Sequence, residues 1–329
     1  MSITRRRALL ALGIGLGLAA GSPHLQAEGG NRGVIRILVG LPAGGGTDAI
    51  ARYFAEQLRT ELGQPVIVEN KPGVGGRLAA DTLAKAAPDG LTYMIAPNAT
   101  PTFQTLVFGH QLKWDLWRDL APVAGLVSYP IGLAASKNTQ ARDAREFVAW
   151  ARANPSRANF GTAGLGGQTH FLGVQFGKVA GIELQPTAYK GTPPMMNDLL
   201  GGHIPAGVAL IESLAPQHRA DTLRLLGVFS AQRSPLLPDV PTLAEQGFDI
   251  TLGEAWTAMW APAGTPAAEL ERMQQALSRI LARPKVGEEL RNQLTVVPRY
   301  LDAQAMAEEQ RKELAAWEPI IRASGFKPE

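Results

Sequence analysis

The chain has 329 residues, with 32 basic and 29 acidic side chains, five histidines and no cysteine. The missing cysteines exclude disulfides, thiolate nucleophiles, Cys-bearing zinc sites and a cysteine-linked lipid anchor. With no basic run and no interleaved aromatic stripe, nothing points to a nucleic-acid partner.

Residues 1–27 read as an export signal. Arg5, Arg6 and Arg7 precede the apolar run Ala8 to Ala20, and Leu25-Gln26-Ala27 offers a small-residue cleavage site. The run is shorter than the ~20 residues a membrane-spanning helix needs. Thr4 to Leu10 loosely matches a twin-arginine signal, and an ordinary Sec signal fits equally well. Either route places the protein in the periplasm. Without those three arginines the body of the chain balances at 29 basic to 29 acidic residues. It is long enough to bury a large core and to form about two domains.

The segment Ile35 to Asp48, IRILVGLPAGGGTD, reads as a strand, a glycine turn and a helix start. That order makes an anion-binding corner, because backbone N–H groups and a helix N-terminus converge there. The same glycines also suit a plain tight turn. Ile50, Phe54, Leu58 and Leu62 then share one helix face, and Gly63 stops it. A strand at Val66 to Glu69, a glycine turn at Lys71 to Gly76 and a helix from Arg77 to Ala87 follow. Leu91 to Ala96 is a strand, and Pro97 to Thr100 reads as a polar loop. Strands separated by helices predict βαβ units and a parallel sheet.

Ala121 to Ala135 is a long apolar run that reads as a strand crossing between lobes. After a helix at Asp143 to Ala153, Asn159 to Phe171 (NFGTAGLGGQTHF) repeats the strand, glycine turn and helix start. The helix behind it is expected to turn Leu172, Phe176 and Val179 inward and to end at Gly181. Strands at Ile182 to Tyr189 and Leu223 to Phe229 flank a short helix that ends at Gly201. Gly253 to Ala261 is a second crossing segment, with Trp256 and Trp260 read as core. Two long helices close the chain; the first carries Leu270, Met273, Leu277 and Ile280 on one face, and the second covers Asp302 to Ala323. The pattern predicts two lobes, residues 28–128 with 251–329 and residues 129–250.

Most enzyme signatures are absent: there is no GxxxxGK[ST], no G-x-S-x-G and no H-E-x-x-H. No metal site and no cofactor is expected. What remains is a cleft lined by two helix N-termini, where backbone donors hold an anion without arginine. The ligand-binding candidates in the first corner are Leu41, Pro42, Ala43, Gly44, Gly45, Gly46, Thr47 and Asp48. Thr47 can cap its helix or donate to ligand, and Asp48 is read chiefly as a helix charge partner. The second corner offers Gly161, Thr162, Ala163, Gly164, Gln168, Thr169 and His170. Asn98, Thr100, Tyr189, Lys190 and Ala209 complete the set.

Seven ordered blocks carry a family resemblance. They are LPAGGGTD at Leu41 to Asp48, VENKPGVGG at Val68 to Gly76, AAPDG at Ala86 to Gly90, Asn159 to His170, YKGTPP at Tyr189 to Pro194, RSPLLPDVPT at Arg233 to Thr242 and WAPAGTP at Trp260 to Pro266. Together they resemble the Bug family, the extracytoplasmic solute receptors of tripartite tricarboxylate transporters. The resemblance implies an α/β fold, a two-lobed periplasmic binding protein (Venus-flytrap, type 2-like) with a two-strand hinge. It also implies a monomer that closes on a small carboxylate and delivers it to membrane permease subunits. In that family the corners matching Pro42 to Asp48 and Gly161 to His170 act as pincers on the ligand carboxylate. Two departures stand out: Leu41 where Phe is frequent, and Ala209 where many members carry Asp at the ligand's distal end. The second makes amino-acid dicarboxylates poor candidates. A sensor partner in place of a permease, or a hydrolase with a dispersed dyad, are the rival readings.

Overall fold

The structure is a computed structural model that describes residues 33–327. The expected export signal lies outside the described residues. Strand β1 (Ile35–Val39) runs into helix α1 (Gly46–Leu62), whose four-residue spacing buries Ile50, Phe54 and Leu58 completely or nearly so. Gly63 closes the helix in the left-handed region at φ 60°. Strand β2 (Val66–Asn70), helix α2 (Arg77–Ala84) and strand β3 (Thr92–Pro97) follow. Helix α2 ends three residues before the expected Ala87, since Pro88 disfavours helical backbone before it.

The expected loop at 97–100 is instead the end of β3 at Pro97, a turn at Asn98 and the start of a helical turn. Ala99–Phe103 forms a π-helical turn that continues into α3 (Gln104–Phe108). The Thr102 N–H donates to the Asn98 carbonyl at 2.9 Å, and Phe103 is buried between Phe171 and Trp317. Pro101 fits near the start of this helical turn, where its missing N–H costs nothing.

Strand β4 (Leu120–Ser136) is followed by α4 (Ala144–Ala153), capped by Asp143, whose side chain accepts from the Glu146 N–H. Next come β5 (Asn159–Thr162), α5 (Gln168–Ala180), β6 (Gln185–Ala188), α6 (Thr192–Leu200), β7 (Ala206–Leu210), α7 (Ile211–Arg219) and β8 (Leu223–Val228). Leu172 and Phe176 of α5 are buried as expected, whereas Val179 is 43% exposed. Ala180 takes the inward place in that last turn. The chain ends with β9 (Glu254–Pro262), α8 (Ala267–Leu281), α9 (Pro284–Leu294), β10 (Val297–Leu301) and α10 (Ala303–Ala323). On α8, Met273, Leu277 and Ile280 are buried and Leu270 is half-buried. Trp256 and Trp260 on β9 are both buried, with ring centroids 5.9 Å apart.

The strand order is β2-β1-β3-β9-β4-β7-β5-β6, with β8 and β10 also pairing with β4. Two parallel β–α units, β1 to β3 and β5 to β7, are therefore joined through the antiparallel strands β9 and β4. Strand β4 serves both: residues 120–130 pair with β9, and residues 131–136 pair with β7 and β8. The long apolar run is thus one strand because each part of it is buried between different neighbours. A single buried cluster runs from Ile37 and Phe54 through Val127 and Leu133 to Phe147 and Phe160. Gly253 marks where the second crossing passes Phe229. A Cβ there would lie 1.9 Å from the Phe229 Cβ and 2.9 Å from its Cα, so only glycine fits.

Candidate functional site

The ends of β1, β3, β5 and β7 open on one cavity of about 370 Å³, at the low end of small-molecule sites. The first corner contributes Leu41 and Thr47, and the segment after β3 contributes Asn98, Thr100, Phe103, Gln104 and Phe108. Tyr129 and Ile131 of β4 line it, as do residues 163–169 of the second corner, and Gly75, Pro97, Ala99, Thr192, Ala209, Leu210 and Ala255 complete it. No lining residue is charged. Apolar walls thus meet a few convergent hydroxyls, amides and backbone groups.

Both corners present a helix start without a side-chain cap. The N-cap of α1 is Gly45 (φ −82°, ψ 168°) and that of α5 is Gly167 (φ −100°, ψ 173°). Serine, threonine or aspartate at those places would spend its own oxygen on the first-turn amides. Glycine leaves them for an outside acceptor, and the helix dipole favours an anion there.

Asp48 does not face the cavity. Its Oδ2 accepts from the Gly44 N–H and from Arg52 Nε, both at 2.9 Å, and its Oδ1 accepts from Asn70 Nδ2 at 2.9 Å. Burial alone would raise its pKa; the donors Arg52, Gly44 and Asn70 outweigh burial and hold it below the ordinary carboxylate value. Asn70 Nδ2 also reaches the Leu41 carbonyl at 3.2 Å. The carboxylate therefore shapes the turn, as a helix charge partner would. Gly44 itself stands at φ +82°, a left-handed conformation that other residues adopt at a cost.

In the second corner Thr162 is fully buried, and its Oγ1 lies 2.7 Å from Thr169 Oγ1 and donates to the Gly164 carbonyl at 3.2 Å. Thr169 faces the cavity and Thr162 braces it from behind. Gly161 packs away from the cavity, where a Cβ would meet Ile204 and Met195 at 2.5 and 2.6 Å. His170 is buried beside Phe171 and Phe326, its Nδ1 accepts from the Gly166 N–H at 3.2 Å, and burial lowers its pKa. It supports the loop as a neutral ring.

Nine of the sequence candidates line the cavity together: Leu41, Thr47, Asn98, Thr100, Ala163, Gly164, Gln168, Thr169 and Ala209. Pro42, Ala43, Gly44, Gly45 and Gly46 are exposed along the rim of the first corner. Tyr189 donates its hydroxyl to Asp198 Oδ2 at 2.7 Å, and Lys190 is exposed; neither is in the lining. Sequence reasoning missed Phe103, Gln104 and Phe108, because it ended the polar segment at Thr100. It also missed Tyr129, although a tyrosine in an otherwise aliphatic crossing strand was a usable signal. Tyr129 and Thr257 share a buried hydrogen bond at 2.9 Å beneath the cavity.

One carboxyl unforeseen in the sequence stands near the first corner. The Oε1 and Oε2 of Glu212, in the first turn of α7, lie 3.0 and 3.1 Å from where a Cβ on Gly46 would be. Burial raises its pKa. It approaches the α1 N-terminus from the other β–α unit.

Fold and site together define a two-lobed solute-binding protein. Residues 50–326 match the model of the tripartite tricarboxylate transporter family receptor, and the chain belongs to that family. It is a family of solute-binding receptors that work with tripartite transporters, not of enzymes. The chain is 34% identical over 321 residues to a UPF0065 protein in the gbd 5′ region of Cupriavidus necator, covering 98% of this chain and 96% of that one. Among solved structures it is similar to an R. palustris protein with adipate, at TM-score 0.81 and 27% identity, with 90% of this chain and 98% of the other covered. MatC from Rhodopseudomonas palustris with bound malate gives 0.75 and 28%, with coverage of 88% and 98%. Among the described residues no helix is long and apolar enough to cross a membrane.

Proposed function

We propose that the cavity captures a small carboxylate between the first turns of α1 and α5 and presents it to the permease of a tripartite transporter. The carrying observation is that two helix starts with glycine N-caps open on one cavity with no charged lining residue. Each hydrogen bond to a charged group is worth about 1.5–3 kcal/mol, so a few amide and hydroxyl donors replace an arginine. Thr47, Asn98, Thr100, Gln168 and Thr169 are the side chains in reach of such a ligand, with Leu41 and Ala209 as apolar wall. Relatives with adipate and with malate support the ligand class. In this reading residues 28–128 with 251–329 form one lobe and residues 129–250 the other. They close on the ligand about β4 and the crossing at Gly253. The receptor acts as a monomer, exported by a Sec or twin-arginine signal in residues 1–27.

A thermal-shift panel of dicarboxylates, aromatic carboxylates and amino acids tests this. A true ligand at 100 times its Kd adds ~2.7 kcal/mol of stability. At least one linear dicarboxylate is expected to raise the Tm, and aspartate and glutamate to act weakly. Failure of every carboxylate would overturn the reading.

A further inference from the structure

Behind the cavity floor lies a buried carboxyl with no cation at ion-pair distance among the described residues. Glu313, on α10, accepts from Asn98 Nδ2 and, at 3.0 Å, from Thr102 Oγ1. Asn98 is fully buried yet borders the cavity. Its N–H donates to the Trp256 carbonyl at 2.8 Å, and its Oδ1 accepts from the Trp256 N–H at 3.4 Å. Asn98 Nδ2 also stands 3.4 Å from Gln168 Oε1, and Gln168 donates Nε2 to the carbonyls of Leu252 and Glu254 at 3.0 and 3.4 Å. One chain of side chains therefore runs from α10, through a cavity-facing amide, to the first residue of α5 and the crossing strand.

The charged and titratable groups around Glu313 are few. Glu309 lies on its own helix, paired at 3.1 Å with Arg299 of β10, which also carries Tyr300. Strand β4 offers Tyr129, occupied by Thr257, and α5 offers His170, packed against Phe171 and Phe326. The π-helical turn and α3 contribute no titratable side chain. Burial outweighs the Asn98 and Thr102 donors and pushes the Glu313 pKa up to about 7.

We propose that Glu313 is a positioning residue for Asn98, and that capture of a carboxylate in the cavity is coupled to proton uptake at Glu313. This rests on the carboxylate reading above. A bound anion one amide away disfavours a second negative charge at Glu313, so binding raises its proton affinity. Protonation in turn weakens the charge-assisted bond from Asn98 Nδ2 to Glu313, freeing an N–H of this cavity-lining amide for the ligand.

Calorimetric titration with adipate near pH 7, in two buffers of different ionisation enthalpy, reads proton uptake directly. The wild-type protein should take up a fraction of a proton, and its affinity should rise roughly three- to ten-fold from pH 8 to pH 6. Glu313→Gln should bind adipate without uptake and with a flat pH profile. Equal uptake in both proteins, or none in either, would overturn the coupling. If neither adipate nor any other carboxylate binds, the carboxylate reading falls and the coupling with it. The positioning role is then decided on ligand-free protein by the Asn98 side-chain amide resonance. It should titrate with a midpoint near pH 7 in the wild type, stay fixed in Glu313→Gln, and shift to a new position in Glu313→Ala. A resonance insensitive to pH and to both substitutions would overturn it.

Discussion

Asp48 is the residue whose chemistry the surroundings define most fully. Three donors hold its carboxylate inside the first corner, and their effect exceeds the cost of burial. Its folded pKa is depressed, so its contribution to stability is complete above the unfolded value near 3.8 and is lost as pH falls through the folded one. Asp48→Asn should therefore cost about 1–3 kcal/mol at pH 7, and the gap from wild type should close on acidification below pH 4. Urea unfolding at pH 7 and pH 3 checks this. A gap that widened in acid would refute the assignment. Glu313 has the opposite sign. Its folded pKa is raised to about 7 from the ordinary glutamate value near 4.5, so its contribution to stability is complete below 4.5 and is lost as pH rises through 7. Glu313→Gln should flatten the fall in stability between pH 5 and pH 8 that the wild type shows. Sequence alone placed Asp48 as a helix charge partner, because its position in a first turn is local information. Glu313 carries no local mark: it sits on an amphipathic helix among other glutamates, and only the packing of α10 over Asn98 singles it out.

Elements with a strong period or a punctuating glycine were legible. The i, i+4 stripe of α1, the stops at Gly63 and Gly181 and the continuous run of β4 all act within a few residues of themselves. The turn after β3 was not legible, because Pro97 to Thr100 reads locally as a polar loop. What makes it helical is distant burial of Phe103 against Phe171 and Trp317. That same turn brings Phe103, Gln104 and Phe108 to the cavity, so missing one element hid three lining residues. The crossing at Gly253 gives an element-scale prediction. Gly253→Ala forces its Cβ into Phe229 and should displace backbone as well as side chain. A loss of roughly 1–3 kcal/mol or more is expected by chemical denaturation, because overpacking at a backbone contact cannot be relieved by a rotamer change. Gly44→Ala offers a contrast: nothing lies within 4 Å of the new Cβ, so only the φ of +82° resists it. Its cost should stay near 1–2 kcal/mol, and thermal unfolding of both variants side by side tests the order.

At the scale of the whole molecule, two β–α units share strand β4, and one cavity lies between their glycine corners. This arrangement was legible because βαβ periodicity and the echo of the glycine turn both survive in the sequence. The cavity's lack of charge was legible only in part, since it depends on which side chains point inward. Ligand-driven closure about β4 should appear in small-angle scattering as a smaller radius of gyration with a saturating dicarboxylate, without change in mass. An unchanged radius would argue that the cavity is filled without lobe movement.

The most direct measurement is a crystal structure of the protein with a dicarboxylate such as adipate. One ligand carboxylate is expected within about 2.7–3.1 Å of first-turn amides of both α1 and α5, beside Thr47 and Thr169, with no Arg or Lys side chain bound to it. A carboxylate seated on a basic side chain, or outside the cavity between the two glycine corners, would contradict it.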